Sequence, residues 1–286
     1  MKYSCIDTHT HLNLPAFSED REVVLERTLA AAVAHINIGT NEKTSQLAVE
    51  IADAHEGSWA IIGLHPIQAV PGAADEDEDD TGGTPAPTTG ERFNSAFYRT
   101  LATSAKVVGI GECGYDYYHT PKDSFAAQEE AFIGQIELAN ELGLPLMIHT
   151  RGPKPGEESP TGRSVYEDVY QTLKQYVKVP GNIHFYAGTL AEAEKFFELG
   201  FTVSFTGVIT FAKVYEEMVQ AIPLTHMHAE TDAPYVSPVP YRGQRCEPRY
   251  VAEVVKKIAV IKQLPLAEVQ EQLLLNAERL YNINLH

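Results

Sequence analysis

Short apolar runs alternate with stretches of helical spacing from one end of the chain to the other. Eight runs are too short and too evenly apolar for surface helices: Ser4 to Asp7, His35 to Ile38, Trp59 to Leu64, Val107 to Glu112, Leu146 to His149, Asn182 to Phe185, Thr202 to Phe205 and Met227 to Thr231. Runs of this kind predict strands buried on both faces. Between them, apolar positions recur three and four residues apart, as in Phe125, Phe132, Ile136, Ala139 and Leu142 ahead of the Gly143-Leu144-Pro145 stop. That spacing predicts an amphipathic helix and its end. Val251, Val254, Val255, Ile258 and Ile261 repeat it, and Leu266, Val269, Leu273, Ala277 and Leu280 give a last helix. Strands each followed by a helix imply parallel pairing with crossover helices, and eight such units close into an α/β (β/α)8 TIM barrel. The 286 residues suit a single barrel domain over residues 1–286, with an open doubly wound sheet as the alternative.

Two stretches break the rhythm. Residues 71–90 (PGAADEDEDDTGGTPAPTTG) have no apolar periodicity and are dense in acids, Gly, Pro and Thr. Such a composition cannot offset its ordering entropy, and it predicts a flexible, disordered acidic insert after the third strand. Residues 152–162 (GPKPGEESPTG) are a shorter stretch of similar character. Both follow strands, so both belong to the C-terminal face of a barrel, where active sites are built.

Composition narrows the picture further. No run approaches the ~18–20 apolar residues of a membrane span, and the first fifteen residues lack the apolar core of a secretion signal. Cys5, Cys113 and Cys246 are odd in number and far apart, so neither a disulfide framework nor a cysteine zinc site is expected, and a cytoplasmic location is. Net charge is −17, and Asp75 to Asp80 supply six of the negatives. An acidic surface weakens sequence-independent attraction to nucleic acid, which depends on Lys and Arg displacing counterions. An anionic substrate must therefore be drawn locally.

The chemistry stands at the strand ends. His9 and His11 form His-Xaa-His at the end of the first strand, where alternation points both imidazoles the same way. Glu112, His149, His184 and Asp232 stand at or beside the ends of four other runs. Each alone has an ordinary explanation, as a loop carboxylate, a hydrogen-bonded core histidine or a turn cap. Together they aim six ligand groups at one barrel mouth, where an uncompensated polar cluster would be costly, and divalent metal binding resolves that cost. His65 ends the third run and Arg151 lies two residues beyond His149; both could face an anionic group, and Arg242 is a further loop candidate, since guanidinium suits phosphate through paired donors. Gly109 to Gly114 fits Gly-Xaa-Gly-Xaa-Xaa-Gly, but no helix opens directly after it, so nucleotide binding is not expected there. Alternation turns Cys113 away from Glu112, which argues against a catalytic thiol.

IDTHTHL, GLHP, GECGYDYY, MIHTR, HFYAG, ETDAPYVSP, the YRG of Tyr241 to Gly243 and NAERLY together resemble the TatD family of metal-dependent hydrolases, within the amidohydrolase superfamily. The resemblance spans Ile6 to Tyr281. Two departures stand out: the insert is longer than the family pattern, and Cys246 stands where that pattern usually carries asparagine. The resemblance implies that His9, His11, Glu112 and Asp232 hold one metal while Glu112 bridges to a second held by His149 and His184. A carboxylate can bridge ions ~3.5–4 Å apart. Asp232 is assigned the general base, taking a proton from the attacking water. The implied cofactors are two divalent ions, Mg, Mn or Zn; four imidazoles favour Zn, Mn, Co or Fe over Mg, whereas the family is commonly described with Mg. The implied activity is that of a deoxyribonuclease cleaving phosphodiester bonds. Ester cleavage, such as removal of a D-amino acid from tRNA, is the alternative within enzymes, and a metal-binding partner protein without turnover is the alternative outside them.

Overall fold

Parallel strands form at all eight of the apolar runs. The computed structural model describes residues 2–74 and 88–286. Its strands are β1 (Cys5–Thr10), β2 (Val33–Ile38), β3 (Ser58–Ile62), β4 (Val107–Asp116), β5 (Leu146–Arg151), β6 (Gly181–Ile183), β7 (Phe201–Phe205) and β8 (Met227–Ala229). Each pairs in parallel with the next, in sequence order. Helices α1 (Arg21–Ala30), α2 (Glu42–Ala54), α3 (Ser95–Leu101), α4 (Phe125–Leu142), α5 (Val165–Tyr176), α6 (Leu190–Glu198) and α7 (Glu216–Ala221) make the crossovers, and α8 (Val251–Lys262) and α9 (Leu266–Tyr281) follow β8. The fold is the (β/α)8 barrel.

Closure of the barrel is where fold and site meet. Beyond β8 the chain returns to β1, and Thr10 bridges Ala233. His11 N–H donates to Ala233 O at 2.8 Å, and Asp232 N–H donates to His9 O at 2.9 Å. Residues more than 220 positions apart are thereby held in register by backbone bonds.

Alternation along the strands divides the core in two. Leu146 and Ile148 pack with Phe132, Ile136, Val169 and Leu173 of the helical shell. Met147 between them joins Ile6, Ile36, Ile61, Val108 and Tyr281 in a separate cluster inside the barrel. His149, two residues further on, continues the inward side. The NAERLY motif has a structural use here: the buried Asn276 of α9 donates to Leu224 O and Met227 O, both at 2.8 Å, and ties the last helix to β8.

All eight strands differ at one end or both from their predicted bounds, and three of the differences bear on the site. β4 runs four residues past Glu112, because the glycines and polar residues of GECGYDYY mask an extended segment that pairs with β5 through Asp116 and Arg151. Both faces are crowded there: a Cβ on Gly111 (φ +143°) would stand 2.4 Å from Met147 O, and one on Gly114 (φ +142°) 2.1 Å from His149 O. Close backbone approach to β5, not a phosphate, accounts for these two glycines. β6 and β8 stop early, leaving His184 and Asp232 on the turns that leave them.

The disorder expected of residues 71–90 falls partly on 75–87, which lie outside the described residues. At the flanks the expectation is corrected. Gly72 N–H donates to Thr88 O and Thr88 N–H to Ala73 O, both at 2.8 Å, and Glu91 N–H donates to Gln68 O. Ala73 is buried with Ile67 and Val70. A small apolar contact and three backbone bonds thus fix both ends, which composition alone could not reveal. Residues 152–162 are likewise anchored: the buried Asp168 carboxylate accepts from Thr161 Oγ1, Arg163 Nε and Tyr117 Oη at 2.5–2.9 Å.

Candidate metal centre

Glu112 is the hub of the C-terminal mouth, and its two oxygens face different partners. Oε2 lies 3.3 Å from His9 Nε2 and 3.9 Å from His11 Nε2. Oε1 lies 2.8 Å from His149 Nδ1, 2.9 Å from His184 Nε2 and 3.5 Å from His65 Nε2. Asp232 Oδ1 stands with the first set, 3.3 Å from His11 Nε2 and 3.7 Å from His9 Nε2. The structure therefore gathers His9, His11, Glu112, His149, His184 and Asp232 around one point and adds His65, which the sequence suggested for substrate. All but His149 and Asp232 are buried.

Local structure positions each donor. His-Xaa-His brings the two Nε2 atoms to 3.1 Å, and His11 Nδ1 donates to Ile38 O at 3.0 Å, which leaves Nε2 as the free lone pair. His184 and Asp232 sit where the chain leaves β6 and β8 through left-handed residues, Phe185 (φ 47°) and Asp232 itself (φ 58°). A bulky residue in that region is strained unless its surroundings hold it, and Phe185 N–H is held by Glu230 Oε1 at 2.7 Å.

Three supporting carboxylates were not found from sequence. Asp116 Oδ2 accepts from His149 Nε2 at 3.0 Å and His119 Nδ1 at 2.9 Å, fixing the ring that turns Nδ1 to Glu112. Glu230 Oε1 stands 3.4 Å from His184 Nδ1. Asp7 accepts from His9 N–H, Thr231 N–H and Thr231 Oγ1, tying the end of β1 to the turn that carries Asp232. A signal existed for two of them: Asp116 and Glu230 lie an even number of residues from Glu112 and Asp232, on the same side of an extended chain.

Electrostatics confirm how tightly the groups are coupled. Burial alone would raise the Glu112 carboxyl, yet His184, His65 and His9 hold it well below the usual range. Burial and the stacked His184 ring, 3.9 Å away between centroids, push His9 down. His184 moves well up, because Glu112 and Glu230 outweigh its burial. His149 is lifted to about 9, its burial overcome by Asp116 and Glu112. Glu112 with the His9/His11 pair, and Glu112 with His65 and His149, form donor groups close enough for an ion. Imidazole and carboxylate donors without a thiolate fit a borderline or hard divalent cation.

These directions set a pH prediction. His149 carries a proton at pH 7 without metal, and coordination must displace it. Metal binding at pH 7 should release protons, and affinity should climb as pH rises toward about 9 and level off beyond it. Titration calorimetry in buffers of different ionisation enthalpy measures this; a buffer-independent heat at pH 7 would contradict it.

The donors form the floor of a cleft of about 970 Å³, with Gln68, Arg151 and Arg242 on its walls. Arg151 and Arg242 stand over aromatic rings, Tyr118 and Phe211. Cys113 is buried against the helical shell.

Comparison with known proteins agrees with this architecture. The family model described as TatD related DNase matches residues 6–282. An uncharacterized metal-dependent hydrolase, YabD, of Bacillus subtilis is 35% identical, the match covering 97% of this chain and 99% of the relative. A 3′-5′ ssDNA/RNA exonuclease TatD of Klebsiella pneumoniae is 29% identical over 98% of each chain. The crystal structure of YJJV, a TatD homologue of Escherichia coli, superposes with a TM-score of 0.78 at 25% identity, covering 99% of this chain and all of that one.

Proposed function

Since the chain belongs to the TatD family of metal-dependent hydrolases, we propose that it is a deoxyribonuclease that hydrolyses phosphodiester bonds with two divalent ions. The observation that carries the reading is the division of Glu112, one oxygen toward His9 and His11 and the other toward His149 and His184. His9, His11 and Asp232 would hold one ion and His149 and His184 the other, with Glu112 shared. His65, on the Oε1 side, is positioned to orient an oxygen of the scissile group. When bound, the ions supply Lewis-acid polarisation of a phosphoryl oxygen and acidify water toward neutrality.

The protein's own residues do the rest. The Asp232 carboxyl, which burial would raise, is held below its usual range by His11, His9 and His184. It therefore stands ionised, ready to take a proton at Oδ1 from the attacking water. Arg151 and Arg242 at the walls would draw phosphates into a mouth on an otherwise acidic protein. Imidazole-rich donors favour Mn or Zn over Mg for tight binding. Residues 1–286 act in this reading as one barrel unit. Its three cysteines are buried and free, which suits the reducing cytoplasm where we place it; no helix among the described residues is long and apolar enough to cross a membrane.

The test is metal-stripped protein reloaded with Mg, Mn or Zn and offered a single-stranded oligonucleotide or a D-aminoacyl ester of tRNA. Metal-dependent cleavage of the oligonucleotide is expected. Turnover of the ester alone would move the protein to the deacylase reading, and turnover of neither would leave it a binding protein.

The acidic run supplies a further prediction. The flanks of the insert sit beside Ile67 and Gln68, which line the cleft. Deleting residues 75–87 and joining Ala74 to Thr88 through two glycines keeps the flanking bonds. Stability should change by no more than ~0.5 kcal/mol. The Michaelis constant for an oligonucleotide should fall at low ionic strength, and the gain should shrink at physiological salt, where the Debye length is ~8 Å. Equal constants at low salt would place the acids away from the substrate path.

A further inference from the structure

The cleft presents more aromatic surface than a hydrolytic metal centre requires. Tyr118, Phe185, Tyr215 and Tyr235 line it, and Phe211, with 41% of its surface exposed, packs against Arg242 of the lining. Two of these rings carry cations over their faces. Arg242 Cζ lies 4.0 Å from the Phe211 centroid, and Arg242 Nη1 donates to Ser237 O at 2.9 Å, which keeps the guanidinium over the ring. Arg151 Cζ and Lys154 Nζ lie 4.9 and 5.0 Å from the Tyr118 centroid. Tyr118 follows β4 and Phe211 follows β7, so the two layers stand three strands apart around the mouth that has Glu112 at its floor.

Attraction of phosphate does not by itself require a cation to be held over a ring. An aromatic layered with a guanidinium or ammonium offers a flat, polarisable surface, and this is the kind of surface on which unpaired bases stack. The alternative source of affinity is weak here. A chain of net charge −17 gains little from counterion release, so contacts to the bases themselves must supply much of the binding.

We propose that the Tyr118–Arg151–Lys154 layer and the Phe211–Arg242 layer are two nucleobase-stacking subsites, one on each side of the scissile phosphodiester. The inference rests on the phosphodiesterase reading above and adds to it which residues hold the substrate and why its bases must be free. A duplex hides the faces of its bases inside the stack, and only a single strand can lay one base on each layer.

The experiment compares single-stranded oligonucleotides carrying either a natural base or an abasic tetrahydrofuran residue immediately 5′ or 3′ of the cleaved bond, using metal-loaded full-length protein. Loss of either base should raise the Michaelis constant of the wild type about tenfold, within the range measured for base stacking on aromatic residues. Phe211→Ala should erase the penalty for one flank and keep the other. Tyr118→Ala should do the reverse, and Tyr118→Phe, which keeps the ring, should retain both penalties. Phe211 is exposed and Tyr118 half-buried, so the variants should fold, and circular dichroism checks this. Cleavage that ignores the abasic positions, or penalties that persist in both alanine variants, would overturn the subsites while leaving the phosphodiesterase reading intact. Failure of the wild type to cleave any of the oligonucleotides would remove that reading and the subsites together.

Discussion

Replacing Glu112 with alanine should strip the protein of both ions and lower turnover by ~10³ or more. The magnitude follows from Lewis-acid stabilisation worth several kcal/mol, each 1.36 kcal/mol being a factor of ten. The effect should be this large because Glu112 stands at the meeting point of both donor sets, 3.3 Å from His9 and 2.8 Å from His149. Removing its carboxylate also leaves the rings of His9, His65, His149 and His184 without their shared counter-charge. Glu112→Gln separates the two consequences: it fills the same space and keeps a hydrogen-bond acceptor, yet carries no charge to share. Its thermal midpoint should stay nearer the wild type while its metal content stays low. Elemental analysis of each variant after dialysis against metal measures this, and two ions per chain in Glu112→Ala would refute the shared role.

Asp232→Asn should divide binding from proton transfer. The amide oxygen can still coordinate, so part of the metal content should survive, but the amide cannot accept the proton of the attacking water. Turnover should fall by ~10²–10⁴, the contribution usual for general acid–base catalysis, against a much smaller fall in occupancy. The hydrogen bond from Asp232 N–H to His9 O is made by backbone, so the turn itself should persist. Near-normal turnover in this variant would assign the base elsewhere.

The barrel and the places of the candidate donors were legible for the same reason. A parallel strand buried on both faces reads as an unbroken apolar run, so a His or carboxylate at its end stands out, as His149 does after Leu146, Met147 and Ile148. β4 was legible only to Glu112, because beyond it the need for close approach to β5 selects Gly114 and the support of His149 selects Asp116, and neither looks like a strand residue. The grouping of donors around separate oxygens of Glu112 was implied by the family resemblance and not by the residue pattern itself. It depends on barrel closure, which sets His9 beside Asp232, and on β4 and β5 pairing, which sets Glu112 beside His149. Arg151 and Arg242 were read as phosphate ligands from charge and place. What charge could not show was the ring beneath each, since Tyr118 and Phe211 are separated from them by 33 and 31 residues.

Stepwise titration of metal-free protein with Mn²⁺ or Zn²⁺, while cleavage of a single-stranded oligonucleotide is followed, tests the shared-carboxylate centre most directly. Activity should stay low through the first equivalent and reach its plateau at two ions per chain, with binding accompanied by proton release at pH 7. Full activity at one equivalent, or cleavage that continues in excess chelator, would contradict a centre in which Glu112 holds two ions together.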